Sequence, residues 1–300
     1  MKTIVSVSGG LSSFEALRRV IAQRGRENVI AVFADVKGYA SNHHWSPVPA
    51  IELMLHERFG GESADTYRFL WEMSYALDMP IERLEDGRTI FNLFASKRAF
   101  RLKAGAFWYA PCSEALKRHT IADWIEANFA PGEYEIALGM KWDEAHRTEK
   151  TQVWWAKRLG WEVRVFSPLA DKPFVESCDI SVTARRVGIT TPDAYGEGFA
   201  NNNCSGGCVH AGQGQFANLY QLRNGVFHYW AWQERNLNRY WGKRATILKD
   251  DRGGVASSMS LDEFIPRIET GDYRQLDLGG CGCFTNAMIG DFLTQAEVSA

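Results

Sequence analysis

Two features of the chain could do chemistry: a set of thiols and a serine–glycine bend. Cys204-Ser-Gly-Gly-Cys208 places two thiols on a segment whose glycines permit sharp turns, so both can aim at one point. Gly279-Gly-Cys281-Gly-Cys283-Phe284 brings two more near the end, and Cys112 lies in Ala110-Pro-Cys-Ser-Glu-Ala-Leu-Lys117, ahead of a helix. Four thiolates collected from distant segments form a tetrathiolate site, occupied by an iron–sulfur cluster or by zinc. A cysteine left over beside such a site is a candidate redox nucleophile, because a neighbouring cation lowers a thiol pKa. Cys178 has no glycines or partner cysteine around it and reads as a buried small hydrophobe. At the other end of the chain, Ser8-Gly9-Gly10 followed by Ser12 and Ser13 reads either as a plain tight turn with a helix cap or as a bend that can hold an anion. Glycines let backbone N–H groups approach closely, and a following helix N-terminus adds partial positive charge. Ser12 and Glu15 have the spacing of a capping box, which sets where that helix starts.

Such groups need a scaffold. Thr3 to Val7 and Val29 to Ala34 read as buried strands, with Phe14, Leu17 and Ile21 at helical spacing between them. Ala64 to Leu77 reads as a helix with Tyr67, Leu70, Trp71 and Ser74 near one face. His119 to Asn128 is a further helix, Tyr134 to Leu138 a strand, Thr148 to Leu159 a helix and Trp161 to Phe166 a strand. This alternation predicts an α/β fold, a mainly parallel sheet with helices on both faces. In such a sheet ligands sit at the carboxyl ends of the strands, where Ser8-Gly9-Gly10 stands. Past Pro168 the texture turns loop-rich and cysteine-bearing, which divides the chain into a core at 1–170 and a second region at 171–300.

Composition sets outer limits. The chain has 300 residues, 45% hydrophobic and 23% charged, ordinary values for a globular protein with a full core. A net charge of −2 gives no global electrostatic argument for nucleic acid. No stretch approaches the roughly 18 apolar residues of a membrane span. The apolar part of Met1-Lys-Thr-Ile-Val5 is too short for a signal peptide, so the expected location is the cytoplasm, where six cysteines point to metal or redox chemistry rather than disulfides. Phe227 to Arg244 interleaves aromatic and basic residues. It reads either as a stacking surface for single-stranded nucleic acid or as a helix with Trp230, Leu237 and Trp241 inward and Arg235 and Arg239 in water. Lys243, Arg244, Lys249 and Arg252 remain candidates for contact with a larger anionic substrate. His43-His44 reads as loop chemistry facing a substrate, His210 as support for a cysteine ligand, and His119 and His146 as surface residues.

Ser8-Gly-Gly-Leu-Ser-Ser13 resembles the pyrophosphate loop of the PP-loop adenine-nucleotide superfamily, whose ATP-cleaving members mostly carry Asp where Ser12 stands here. Phe33-Ala34-Asp35 is similar to the strand-end acid of that superfamily. Gly139-Met-Lys-Trp-Asp-Glu-Ala-His-Arg147 looks like a segment of its phosphoadenylyl-sulfate (PAPS) reductase-like branch, and Asp65-Thr-Tyr-Arg-Phe-Leu70 like a helix start in phage-borne members. The resemblance implies a Rossmann-like nucleotide-binding core. It implies that Ser8, Gly9, Gly10, Ser12 and Ser13 hold phosphate, that Asp35 addresses the nucleoside, and that Lys141 and Arg147 neutralise the anionic end of ATP, adenylyl sulfate (APS) or PAPS. Cys112 stands where reductases of this kind carry cluster cysteines, so the implied ligand set is Cys112, Cys204, Cys208 and Cys281 or Cys283. The resemblance favours a [4Fe–4S] cluster over zinc and leaves Cys283 as nucleophile. Three functions follow as expectations: sulfonucleotide reduction with a thiol electron donor, ATP-dependent thiolation of tRNA or DNA, or a non-catalytic nucleotide sensor. A homodimer is compatible with each.

Overall fold

The strands form where β-branched and small apolar residues run together. β1 (Lys2–Val7) is such a run, buried almost throughout as a central parallel strand is. In the computed structural model, residues 1–39, 45–104, 107–250 and 256–276 are described, with backbone only for Ala104, Phe107, Trp108, His146, Arg147 and Glu149. A glycine bend hands β1 to α1 (Leu11–Arg24), and the chain returns in β2 (Val29–Asp35). Helices α2 (Pro49–Phe59) and α3 (Ala64–Ala76) precede β3 (Ile81–Glu85). Next come α4 (Ile90–Lys97) and a hairpin of β4 (Leu102–Ala104) and β5 (Phe107–Tyr109). A π-helical turn (Ser113–His119) and α5 (Thr120–Asn128) then lead to β6 (Tyr134–Leu138). α6 (His146–Leu159) and β7 (Val165–Phe166) complete the sheet. The remainder carries α7 (Ser177–Arg186), α8 (Asp193–Gly196), α9 (Gln213–Leu222) and α10 (Asn224–Trp241). A hairpin of β8 (Leu248–Asp250) and β9 (Ser257–Met259) and helix α11 (Leu261–Thr270) follow.

Five parallel strands lie in the order β3-β2-β1-β6-β7, the α/β arrangement that the alternation of elements predicts. The two-residue period of a strand divides its side chains between two layers. Val5, Val7, Ala31, Phe33 and Ala137 face α1, α3 and α7. Ile4, Val32, Ala34, Ile136 and Leu138 face α5 and α6. A third apolar cluster joins α4 to α9, α10 and α11 through Phe91, Phe94, Phe216, Trp230 and Phe264. Crossovers leave β1 in both directions, so the carboxyl ends of β1 and β6 border the crevice where such sheets take ligands.

Several sequence expectations change. Only Val165 and Phe166 of the predicted 161–166 strand pair with the sheet, because β7 is its short edge. The buried face of α3 is Thr66, Phe69, Leu70 and Met73, while Trp71 is 68% exposed and stacks on Tyr75. Helix α1 starts at Leu11 with Gly10 as N-cap, not at Ser12. Glu15 makes no capping box because Arg18 and Arg19 hold its carboxylate at 2.7 and 2.9 Å. Cys178 is exposed rather than buried, since it lies in the first turn of α7. Trp230, Leu237 and Trp241 of α10 are buried with Arg235 and Arg239 in water, so those two indoles are core and offer no face to a base. Among the described residues no helix is long and apolar enough to cross a membrane.

Candidate functional site

The bend after β1 is fixed by close contacts. Gly9 has φ +72°, and a Cβ there would stand 2.5 Å from Thr66 Cγ2, so both its conformation and its space require glycine. Gly10 O accepts the N–H groups of Ser13 and Phe14, and Ser13 Oγ donates to it at 2.7 Å. The Ser13 hydroxyl is therefore turned back on the loop, leaving Ser8 and Ser12 as its half-exposed hydroxyls. The Leu11 N–H donates to Tyr195 Oη at 3.1 Å, a partner the sequence did not flag. Gly139, just past β6, lies against the same turn; a Cβ there would meet Ser13 Cα and N at 3.0 Å. The ends of β1 and β6 thus meet at one helix mouth, which is where an anion gains most from backbone N–H groups and the helix dipole.

Asp35 closes β2 and is buried, with its carboxylate engaged by protein donors. Tyr67 Oη donates to it at 2.8 Å, Arg83 Nε at 2.8 Å and the Lys37 N–H at 2.8 Å. Burial, then the Asp35 charge, pushes the Tyr67 hydroxyl well above its ordinary pKa, so it stays a proton donor. Asp35 consequently holds the Tyr67 hydroxyl and the Arg83 guanidinium at the carboxyl end of β2. Lys141 Nζ lies 3.3 Å from Glu176 and 3.8 Å from Asp143, and Trp142 Nε1 donates to Glu176 at 3.2 Å. Arg147 is in the first turn of α6, and its side chain lies outside the described residues.

Cys112, Cys204 and Cys208 line one small cavity together with Lys117, His210 and Trp230. All three are half-buried thiols. The turn at Cys204–Gly206 winds left-handed through Cys204 (φ +51°), Ser205 (φ +55°) and Gly206 (φ +91°). Each non-glycine residue there costs about 1–2 kcal/mol, which the surroundings offset. Gln215 Nε2 donates to Gly206 O at 2.6 Å, Arg223 to Ser205 O at 3.2 Å, and Ser205 Oγ to Gly61 O at 3.0 Å. Trp230 lies flush on the turn, since a Cβ on Gly207 would fall 2.0 Å from its Nε1. The His210 N–H donates to Cys208 Sγ at 3.4 Å. Burial, then the nearby Arg101 charge, lowers the His210 imidazole to about 4, so it is neutral near pH 7.

A buried ion pair underlies the thiols. Glu62 Oε1 is 3.3 Å from Lys117 Nζ, with side-chain exposures of 0% and 4%. Glu62 Oε2 accepts the Cys204 N–H at 2.7 Å. Burial raises the Glu62 pKa, opposed by the Lys117 charge and that N–H. The thiol turn and the glycine bend also touch directly. Asn202 Nδ2 donates to Gly9 O at 3.1 Å, and Thr66 Oγ1 donates to Asn202 O at 3.2 Å.

The structure therefore brings Ser8, Gly9, Gly10, Ser12 and Ser13 together, places Cys112, Cys204 and Cys208 on the wall of one cavity without clustering them, and sets the turn that carries the last two against the bend. Cys281, Cys283 and His43-His44 lie outside the described residues. Arg274, seven positions before Cys281, donates its N–H to Gln213 at 3.1 Å, and Gln213 lies five positions beyond Cys208. Among the described residues no three His, Cys, Asp or Glu side chains stand at metal-holding geometry. Sequence reasoning missed Glu62, Lys117, Asn202 and Tyr195. Only Lys117 carried a signal, as a cation one helical turn and a half beyond Cys112. Compared with models of known protein families and with curated proteins, the sequence matches none.

Proposed function

We propose that the chain is an adenine-nucleotide enzyme of sulfur chemistry, with phosphate bound at Ser8 to Ser13 and an iron–sulfur cluster held by cysteines. The observation that carries this reading is the Asn202–Gly9 hydrogen bond, which ties the segment leading into the two-cysteine turn to the glycine bend after β1. The donor chemistry suits such a group, since three thiols line one cavity whose other walls, Val36, Ile90, Phe94 and Trp230 among them, are mostly apolar, although the three do not stand at metal-holding geometry. Soft thiolates in an apolar shell suit iron–sulfur or zinc and exclude hard oxygen-seeking cations. Cys281 or Cys283 would supply the fourth thiolate from the tail beyond Arg274. When bound, a [4Fe–4S] cluster supplies electrons or a site for sulfur.

The chain's own residues do the rest. Backbone N–H groups of the bend, with the Ser8 and Ser12 hydroxyls, take the phosphates, and Lys141 and Arg147 neutralise the anionic end. Asp35 keeps Tyr67 and Arg83 in place as donors beside the nucleoside. In a reductase the Cys283 thiolate attacks the sulfonyl sulfur of APS or PAPS. A sulfur–sulfur bond forms, the sulfur–oxygen bond to phosphate breaks, and the nucleotide leaves as its phosphate anion. A thiol donor then attacks Cys283 sulfur, forming a disulfide and expelling sulfite. The test is sulfite release from APS or PAPS with a dithiol reductant, lost in Cys283→Ser. Pyrophosphate release that depends on added tRNA or DNA would instead assign thiolation.

A further inference from the structure

We propose that Asn202 is a positioning residue that couples the two halves of the site, so that a phosphoryl group on the glycine bend re-seats the cysteine turn at 203–208. The inference rests on the nucleotide reading above and adds a direction of control to it.

Asn202 is 1% exposed, and its side chain reaches from the cysteine loop to the bend. Its orientation is fixed, because only the amide NH2 can pair with the Gly9 carbonyl. The other amide atom, Oδ1, is buried with no partner among the described residues. An unpaired buried acceptor is destabilising, so the amide is a poor choice for stability alone. Its second link is the backbone carbonyl, held by Thr66, whose methyl group also defines the space at Gly9. Two residues on, the chain enters the left-handed turn, where Gly206 N–H donates to Asn203 O at 3.0 Å, Gly207 N–H to Cys204 O at 2.9 Å and Cys204 N–H to Glu62.

An anion on the bend takes the N–H groups flanking Gly9 and so fixes the adjoining peptide planes. The Gly9 carbonyl turns with its plane, and the Asn202 amide that holds it must follow. A strained left-handed turn is the element that such a small displacement moves most easily. Coupling is reciprocal, so whatever orders the cysteine turn tightens phosphate binding by the same factor.

The test is hydrogen–deuterium exchange of the 9–13 and 203–208 amides, with and without saturating pyrophosphate or ATP, in wild type and Asn202→Ala. In wild type, ligand should slow exchange at least about threefold in both segments. In Asn202→Ala it should slow 9–13 and leave 203–208 unchanged. Asn202→Leu, which keeps about the size and has no donor, should behave like the alanine variant and covers the case in which alanine misfolds. Protection of 203–208 that persists in both variants overturns the coupling. So does a wild type in which 9–13 responds alone, an outcome that leaves the nucleotide reading standing. No response in either segment, with no binding heat, removes both.

Discussion

Replacing Lys117 with methionine is expected to destabilise the protein by about 3–5 kcal/mol, the usual result of leaving one partner of a buried ion pair uncompensated. The figure applies here because neither partner reaches water: side-chain exposure is 4% for Lys117 and 0% for Glu62. Methionine fills most of the volume, so the loss is electrostatic rather than a cavity. The Cys204 N–H, 2.7 Å from Glu62, would remain and offset part of the deficit. At about 2 °C or more per kcal/mol, the melting temperature should fall by at least about 6 °C. The deficit should also depend on pH. Burial already raises the Glu62 pKa, and removing the lysine raises it further, so the folded state holds a proton that the unfolded state releases. Stability then falls as pH rises above the ordinary carboxyl range, and the deficit should be larger at about pH 8 than at about pH 5. Urea unfolding of wild type, Lys117→Met and Lys117→Met/Glu62→Gln over that range is the assay. The double variant should recover at least about half the loss, because it restores a neutral pair. A single-variant deficit below about 1 kcal/mol, or a double variant as unstable as the single, would refute the reasoning.

Three further outcomes follow from the contacts. Gly139→Ala places a Cβ 3.0 Å from Ser13 backbone atoms that cannot swing aside. It should cost about 1–3 kcal/mol and weaken ATP binding about tenfold or more, read by calorimetry and urea unfolding. Gly207→Ala would strike the Trp230 indole at 2.0 Å, forcing a buried ring off the cysteine turn. Metal content should drop along with melting temperature, whereas unchanged metal would show that the indole does not set the thiols. Burial, the largest cause, raises Glu234 to about 7 although it accepts the Leu261 and Ile247 N–H groups. Its contribution to stability is greatest below the ordinary carboxyl pKa and is lost as pH rises through the folded value. Relative to wild type, Glu234→Gln should therefore gain up to about 3 kcal/mol between about pH 4.5 and about pH 7, and parallel profiles would exclude this.

The sheet was legible because each central strand is a short apolar run ending at a turn signal, and Tyr134–Leu138 matched to the residue. Helix α2 was not, because it is inverted. It buries Glu52 and His56, which bond Tyr229 at 3.1 and 2.9 Å, and exposes Ile51 and Met54. No periodicity rule finds a helix whose polar groups face inward to a tyrosine on another helix. The bend and the Cys-x3-Cys turn could be read locally, since glycine spacing marks both. Glu62 and Lys117 could not, being 55 residues apart in sequence and paired only by the fold. Asn202 is similar: three successive asparagines precede Cys204, and nothing local says which of them reaches Gly9.

The central claim is that cysteines beside a phosphate-binding bend hold an iron–sulfur cluster. It is tested most directly by iron, sulfide and zinc analysis of anaerobically purified wild type and Cys112→Ser/Cys204→Ser/Cys208→Ser. About four iron and four sulfide per chain in wild type, absent from the triple variant, is the expected result. Zinc in their place, or a wild type carrying no more metal than the variant, would contradict it.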